Sequence, residues 1–301
     1  MTSSPPHSSH LIGLIAKIIT NVKWVADFRD PWIDILPNRT PLIRSALSDK
    51  IENWLEKLVI RNADKIITTT DEHRKAIISR FPGEPQDKFV YIPNGIDSEK
   101  FNNKDLPERY DKFTLSYAGT IYLKRTPEPI FKAIQMLVSS GRILSEEISF
   151  KLFGHCELID GKPIYPLIKA YDLESIVEVS NPIPFMDAIN VMQRSHLLVL
   201  LSSPVQDINI PAKIYDYFGS GTKTIAVTDP GAVSSLIENT NSGACFNPSD
   251  INGIAEHIFS LLRREDRDYI RNDPSAYAHF DTKLLTGKLA QQLSSLTENS
   301  L

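Results

Sequence analysis

Cysteine is nearly absent from this sequence. Cys156 and Cys245 are the only two, and neither has a second cysteine nearby, so neither a disulfide framework nor a zinc ribbon is expected and a reducing cytoplasm fits. Long apolar runs are also missing: LIGLIA near residue 11 and LLVLL near residue 197 fall far short of the roughly 20 residues that span a bilayer. In the first 20 residues the only nearby positive charge, Lys17, follows the apolar run instead of preceding it, which is the wrong order for a signal peptide, and no export is expected. Neither GxGxxG nor GxxxxGK(S/T) occurs, which counts against nicotinamide dehydrogenases and P-loop proteins. There is no excess of one charge: 33 basic against 37 acidic residues leave −4, so no nucleic-acid partner is expected. His7 and His10 stand three apart, but no further Cys, His or acid at ligand spacing joins them, so no metal is expected.

What is present is a globular composition, 42% hydrophobic over 301 residues, enough for one large domain or two ordinary ones. From residue 114 the stretches TLSYAG, SFKLFG, IVEVS, LLVLLS, KTIAVT and GACFN read as short buried strands separated by segments of helical spacing. One such helix starts at Pro127 or Pro129 and ends before Gly141, with proline and glycine where helix termini prefer them. Strands of this kind, covered by helices, imply an α/β fold with a parallel doubly wound sheet. The first hundred residues repeat the pattern more sparsely, with strands expected at 23–28, 64–70 and 88–93, three strands that leave an exposed edge and an incomplete core. Between them, Leu42, Ala46, Leu47, Ile51, Trp54, Leu55, Leu58 and Val59 share one helical stripe, expected to pack into a core more readily than to lie on a membrane. Two lobes follow, 1–100 and 112–272, joined by a polar linker at 101–111 and trailed by a helical tail at 273–301 that can pack back on the N-terminal domain.

In open α/β sheets ligands collect at the carboxyl ends of the strands, where helix N-termini offer free N–H groups to anions. After TLSYA comes Gly119, which permits close backbone approach, and then Lys124 and Arg125 within reach of a phosphate; a turn with two solvated cations explains the same residues. After LLVLLS comes NIPAKIYDYFGSG, in which Pro211 suits a first helical turn, Lys213 sits at the helix start and Asp216 lies further along. A carboxylate at Asp216 can accept both vicinal hydroxyls of a ribose, and by spacing alone a surface acid is equally well supported. In the other lobe KWVADF runs into Arg29, Asp30, Pro31 and Trp32, where Asp27, Arg29 and Asp30 also fit a plain ion-pair cluster.

The succession SSPPHSSHLIGL, WVADFRDPW, ADKIITTTDEHRKAI, YIPNGID, YAGTIYLKRTPEPIFKAI, NPIPFMDAINVMQRSHLLVLL and IPAKIYDYFGSGTKTIAV resembles, in order and over nearly the whole chain, the GT-B-fold retaining glycosyltransferases of family 4. The resemblance implies two Rossmann-like doubly wound domains, the N-terminal one incomplete, with a nucleotide-sugar donor held by the C-terminal lobe and the acceptor by the N-terminal lobe. Asp216 falls at the ribose-binding acid, Lys213 and Arg125 at phosphate contacts, and Ile183 and Pro184 at the segment whose backbone meets the nucleobase. Arg29 and Asp30 stand at the strand end near the reacting sugar, and Asp30 and His7 are expected to position the reactants.

Three departures accompany the match. Ile208 occupies the place of the acid that usually pairs with the ribose acid, so Asp207 or Asn209 is expected to substitute. Thr120 replaces an arginine, shifting the phosphate clamp onto Lys124, Arg125 and Lys213. The sequence starts at what matches the fourth strand of the first domain, as a fragment or a misplaced start would. The implied reaction moves a hexose from a nucleoside diphosphate sugar to a hydroxyl acceptor, a glycan or a polyprenyl-linked glycan, in surface polysaccharide or lipid-linked glycan biosynthesis. No cofactor or metal is expected, the setting is cytoplasmic at the inner face of the membrane, and peripheral membrane contact is expected through the acceptor. A non-catalytic nucleotide-sugar-binding scaffold and a GT-B sugar-nucleotide epimerase stand as alternatives.

Overall fold

The computed structural model describes residues 1–33, 45–101, 106–122, 125–202 and 208–298. The chain forms two compact units, Met1–Gly95 with Ile208–Ile210 and Thr282–Leu301, and Ile96–Asp207 with Pro211–Asp281.

The first unit holds a parallel sheet of β1 (Thr2–Ser4), β2 (Val25–Phe28), β3 (Lys65–Thr68) and β4 (Phe89–Tyr91), paired in that order. The sequence led us to expect three strands. The fourth, β1, is three small polar residues whose backbone pairs Thr2 with Ala26 and Ser4 with Phe28, and such a segment carries no apolar alternation to reveal it. Helices α1 (Ser9–Thr20), α2 (Ala46–Asn62) and α3 (Asp71–Arg80) accompany the sheet. The Thr70 hydroxyl accepts from the His73 amide and Ser45 from the Ser48 amide, so α3 and α2 start where side-chain oxygens satisfy otherwise orphaned N–H groups. Trp24, Phe28, Trp32, Val59, Ile60, Ile66, Ile77 and Phe89 close the core.

The α2 stripe is only half used, which corrects the expectation of core packing. Val59 is buried and Leu55 and Leu58 pack against the core, but Leu47, Ile51 and Trp54 are exposed, and Leu42 lies outside the described residues. Beside α2, helix α1 exposes Ile12, Ile15, Ile18 and Ile19 as well. No helix among the described residues is long and apolar enough to cross a membrane.

The second unit is a six-stranded parallel sheet built from β5 (Phe113–Ala118), β6 (Ile148–Phe153), β9 (Val177–Ser180), β10 (Leu197–Leu201), β11 (Thr224–Val227) and β12 (Gly243–Phe246), with a small hairpin of β7 (Leu158–Ile159) and β8 (Lys162–Pro163) beside it. The order β12-β11-β10-β5-β6-β9 is that of a doubly wound fold, and it reverses between β5 and β10, where such sheets open a crevice. The helices are α4 (Glu128–Ser139), α5 (Tyr165–Ala170), α6 (Phe185–Arg194), α7 (Lys213–Ser220), α8 (Ala232–Thr240) and α9 (Ile251–Leu262). Every residue of β10 is buried, as a strand covered on both faces requires. The expected linker and tail are drawn differently by the fold. The backbone of Ile96 already donates to Phe280 within this unit, and only the helix α10 (Thr282–Glu298) of the tail counts with the first unit.

Candidate functional site

The strand ends of the second unit converge on a cavity of about 350 Å³, lined in part by Gly119 after β5, His155 after β6, Ile183 before α6, and Lys213 and Asp216 on α7. Its position at the carboxyl ends of β5 and β6, with α7 following β10, is the crevice that the strand order opens.

Two glycines shape the floor. Gly119 adopts φ +123°, and a Cβ there would lie 2.7 Å from the Lys213 Nζ. Gly154 adopts φ +122°, and a Cβ there would collide with the Gly119 carbonyl oxygen. These backbones therefore approach one another and the lysine as only glycine allows. Gly119 donates to the Phe153 carbonyl at 2.9 Å, Gly154 to the Ser180 carbonyl at 3.2 Å, and the Cys156 thiol to the Gly119 carbonyl at 3.2 Å, tying the three strand ends together. The Tyr217 hydroxyl accepts from the Ala118 amide and donates to the Val199 carbonyl, which fixes α7 across the β5–β10 junction.

Lys213 is the most unusual group in the cavity. Its ammonium stands 3.9 Å from the centre of the Tyr117 ring, is buried, and has no hydrogen-bond partner among the described residues. It is also the first residue of α7, the positive end of the helix dipole, where a cation is disfavoured. Burial first, and then the nearby Arg125 charge, push its pKa down to about 7. One turn on, Asp216 is half-buried, and burial pushes its carboxyl up to about 6 against the opposing pull of Lys100 and Lys213. A dianionic group bound between Gly119 and α7 would relieve the burial and dipole penalties on Lys213 together.

The structure thus brings Gly119, Ile183, Lys213 and Asp216 to one cavity, with Pro184 as the N-cap residue of α6 beside it. Arg125 is placed otherwise than expected. It is 2% exposed, its guanidinium lies 4.3 Å over the Tyr122 ring, and it acts on Lys213 through its field rather than lining the cavity. Lys124 and Asp207 lie outside the described residues. Asn209, expected near the donor, belongs to the first unit, where its amide donates to Asp30 at 3.3 Å. In that unit Arg29 donates to the Asn94 side chain at 2.8 Å, and His7 stacks on Trp32 with ring centres 4.9 Å apart. Around them burial pushes His10 down to about 4 and His73 to about 3, so both imidazoles are neutral at pH 7. The sequence reading missed Gly154, His155 and Phe185 in the cavity. The first two carried a legible signal, since Gly154 ends the strand SFKLFG just as Gly119 ends TLSYAG, and His155 follows it directly.

Residues 5–100 match the family model described as Glycosyltransferase Family 4. No curated protein sequence matches the chain. Among solved structures, a sucrose-phosphate synthase from Thermosynechococcus elongatus superimposes with a TM-score of 0.70 at 17% identity, over 97% of this chain and 72% of that one. The pneumococcal O-GlcNAc transferase GtfA, solved with UDP and GlcNAc, gives 0.63 at 15%, over 91% of this chain and 53% of its own. A Listeria monocytogenes structure described as a UDP-N-acetylglucosamine 2-epimerase gives 0.61 at 13%, over 99% and 74%. In class, then, this is a protein of the GT-B fold, matched over 97% of its length. In particular, the Glycosyltransferase Family 4 match covers its residues 5–100.

Proposed function

We propose that the protein is a retaining hexosyltransferase whose second unit binds a nucleoside diphosphate sugar, with the sugar passing to a hydroxyl acceptor. The observation that carries the reading is Lys213, a buried ammonium without a hydrogen-bond partner among the described residues, at the start of α7 and against a glycine floor. The diphosphate binds there, the ribose hydroxyls reach the Asp216 carboxylate, and the base lies toward Ile183. As the glycosidic bond breaks, negative charge grows on the departing diphosphate, and Lys213, the α7 N-terminus and the field of Arg125 are arranged for it in advance. Retention follows if the leaving phosphate accepts the proton of the attacking hydroxyl on the same face. These groups supply the charge stabilisation without a metal. Arg29, Asp30 and His7 of the first unit are proposed to position the acceptor.

The UDP in the GtfA structure supports a nucleotide ligand for this fold. A glycan or polyprenyl-linked acceptor of envelope polysaccharide synthesis, met at the cytoplasmic face of the membrane, is supported by the exposed apolar face of α1 and α2. The test is binding of UDP and GDP to the purified chain against Asp216→Ala and Lys213→Met. Loss of tenfold or more in affinity is expected in each variant, consistent with about 1.4 kcal/mol or more per charged contact, and unchanged affinity in both sinks the assignment. The likeness to the 2-epimerase supports a second reading, in which the nucleotide sugar itself is interconverted. Conversion of the donor with no acceptor present would favour it.

A further inference from the structure

Two residues at the cavity have no role in holding diphosphate or ribose. Phe185, the first residue of α6, lines the cavity with 44% of its surface exposed. Lys100 holds its ammonium 5.3 Å from the centre of that ring. An aromatic ring left open to water in a concave site retains burial free energy that a flat partner would recover.

Lys100 is not a stray surface cation. It belongs to the 3-10 turn Ser98–Phe101, and the ring of Phe101 packs against Gly219 of α7, where a Cβ would come within 2.5 Å. That packing docks the turn on the helix carrying Asp216 and puts the neighbouring Lys100 at the cavity rim. Its ammonium also pairs with Asp97 at 3.0 Å, and its charge reaches Asp216. The side chain is half-exposed, with four rotatable bonds, so it can move to the edge of a ring that covers Phe185.

Building on the donor reading, we infer that Phe185 and Lys100 recognise the nucleobase, the base stacking on Phe185 while Lys100 donates to a carbonyl oxygen on its edge. An ammonium has three donors and no acceptor. It therefore rewards a base that carries a carbonyl, such as uracil, thymine or guanine, and gains less from adenine, which has none. The donor class is a nucleoside diphosphate sugar of the former kind.

The test is isothermal titration of the full chain with UDP, GDP and ADP, using wild type, Phe185→Leu, Phe185→Tyr, Lys100→Met and Asp216→Ala. Both new positions are substantially exposed, so these variants are expected to fold. UDP or GDP should bind at least about tenfold tighter than ADP, and Phe185→Leu should weaken that ligand about tenfold while Phe185→Tyr stays within about threefold, as loss and retention of a stacking face require. Lys100→Met should narrow the discrimination against ADP to about threefold or less. The inference is overturned if wild type binds ADP as well as the others, or if Phe185→Leu and Lys100→Met keep both affinity and selectivity. In that event, weaker binding of every nucleotide by Asp216→Ala confines the failure to the base wall, whereas unchanged binding removes the donor reading with it.

Discussion

If Lys213 meets the diphosphate, nucleotide binding must be coupled to proton uptake. Burial and the Arg125 charge hold the lysine at about 7, far below its ordinary value near 10.4. A bound diphosphate beside the amine favours the ammonium and moves the pKa back toward that value. Between the two, each pH unit then costs close to tenfold in affinity, because the neutral amine must first gain a proton. For a free value of about 7 and a bound value of about 10, linkage gives roughly fifty-fold weaker UDP binding at pH 9.5 than at pH 7.5. The second phosphate ionisation, near pH 6, is complete over this range and leaves the slope to the protein. Titration calorimetry at pH 8.5 in buffers of different ionisation enthalpy should report uptake of about one proton per UDP, and the Lys213→Met variant should show neither the slope nor the uptake. The sign for folding is opposite to that for binding. A lowered lysine pKa contributes stability that is full above the unfolded value and is lost as pH falls through about 7, so the unliganded chain should lose thermal stability on acidification from pH 9 to 6.5 while its affinity rises. A flat affinity profile, or the same slope in Lys213→Met, would refute the placement of the diphosphate on Lys213.

Other outcomes follow from packing. Gly154→Ala combines a φ of +122° with a collision against the Gly119 carbonyl, and should cost about 2–4 kcal/mol, read as a fall in melting temperature and as weaker UDP binding. Gly141→Ala, at φ +69° with open space around it, should cost only about 1–2 kcal/mol and leave UDP binding unchanged, which separates the collision from the backbone penalty. If the α1 face meets a lipid surface, the chain should float with vesicles of mixed neutral and anionic phospholipid, and Ile18→Glu with Ile19→Glu should abolish this while UDP affinity is kept; equal flotation of the double variant would remove the membrane contact.

The second unit was legible because its strands are apolar on both faces and each ends at a glycine or a turn, so the strand ends that line the cavity could be read from the sequence. Gly119, Lys213 and Asp216 came from that logic. What escaped it depended on facts that periodicity does not carry. Three polar residues form β1 because β2 offers a ladder to pair with, and one β-branched residue, Thr2, followed by Ser3 and Ser4 is too short and too polar a run to mark a strand. The sequence places Arg125 either at a phosphate or in a solvated turn, yet folding buries it over Tyr122. The α2 stripe gave the apolar face of the helix correctly, but whether a neighbour covers that face is a property of the tertiary structure, and Leu47, Ile51 and Trp54 remain uncovered.

Lys100 and Phe185 show the same limit at the site itself. The sequence places Lys100 in a first lobe that ends at residue 100, whereas the chain enters the second unit at Ile96 and anchors Phe101 on α7. A cation that local composition marks as solvated is thereby held against the helix that carries Asp216. Specificity at such a cavity is set less by the strand-end residues, which the fold places in any doubly wound sheet, than by what the connecting segments bring to the rim.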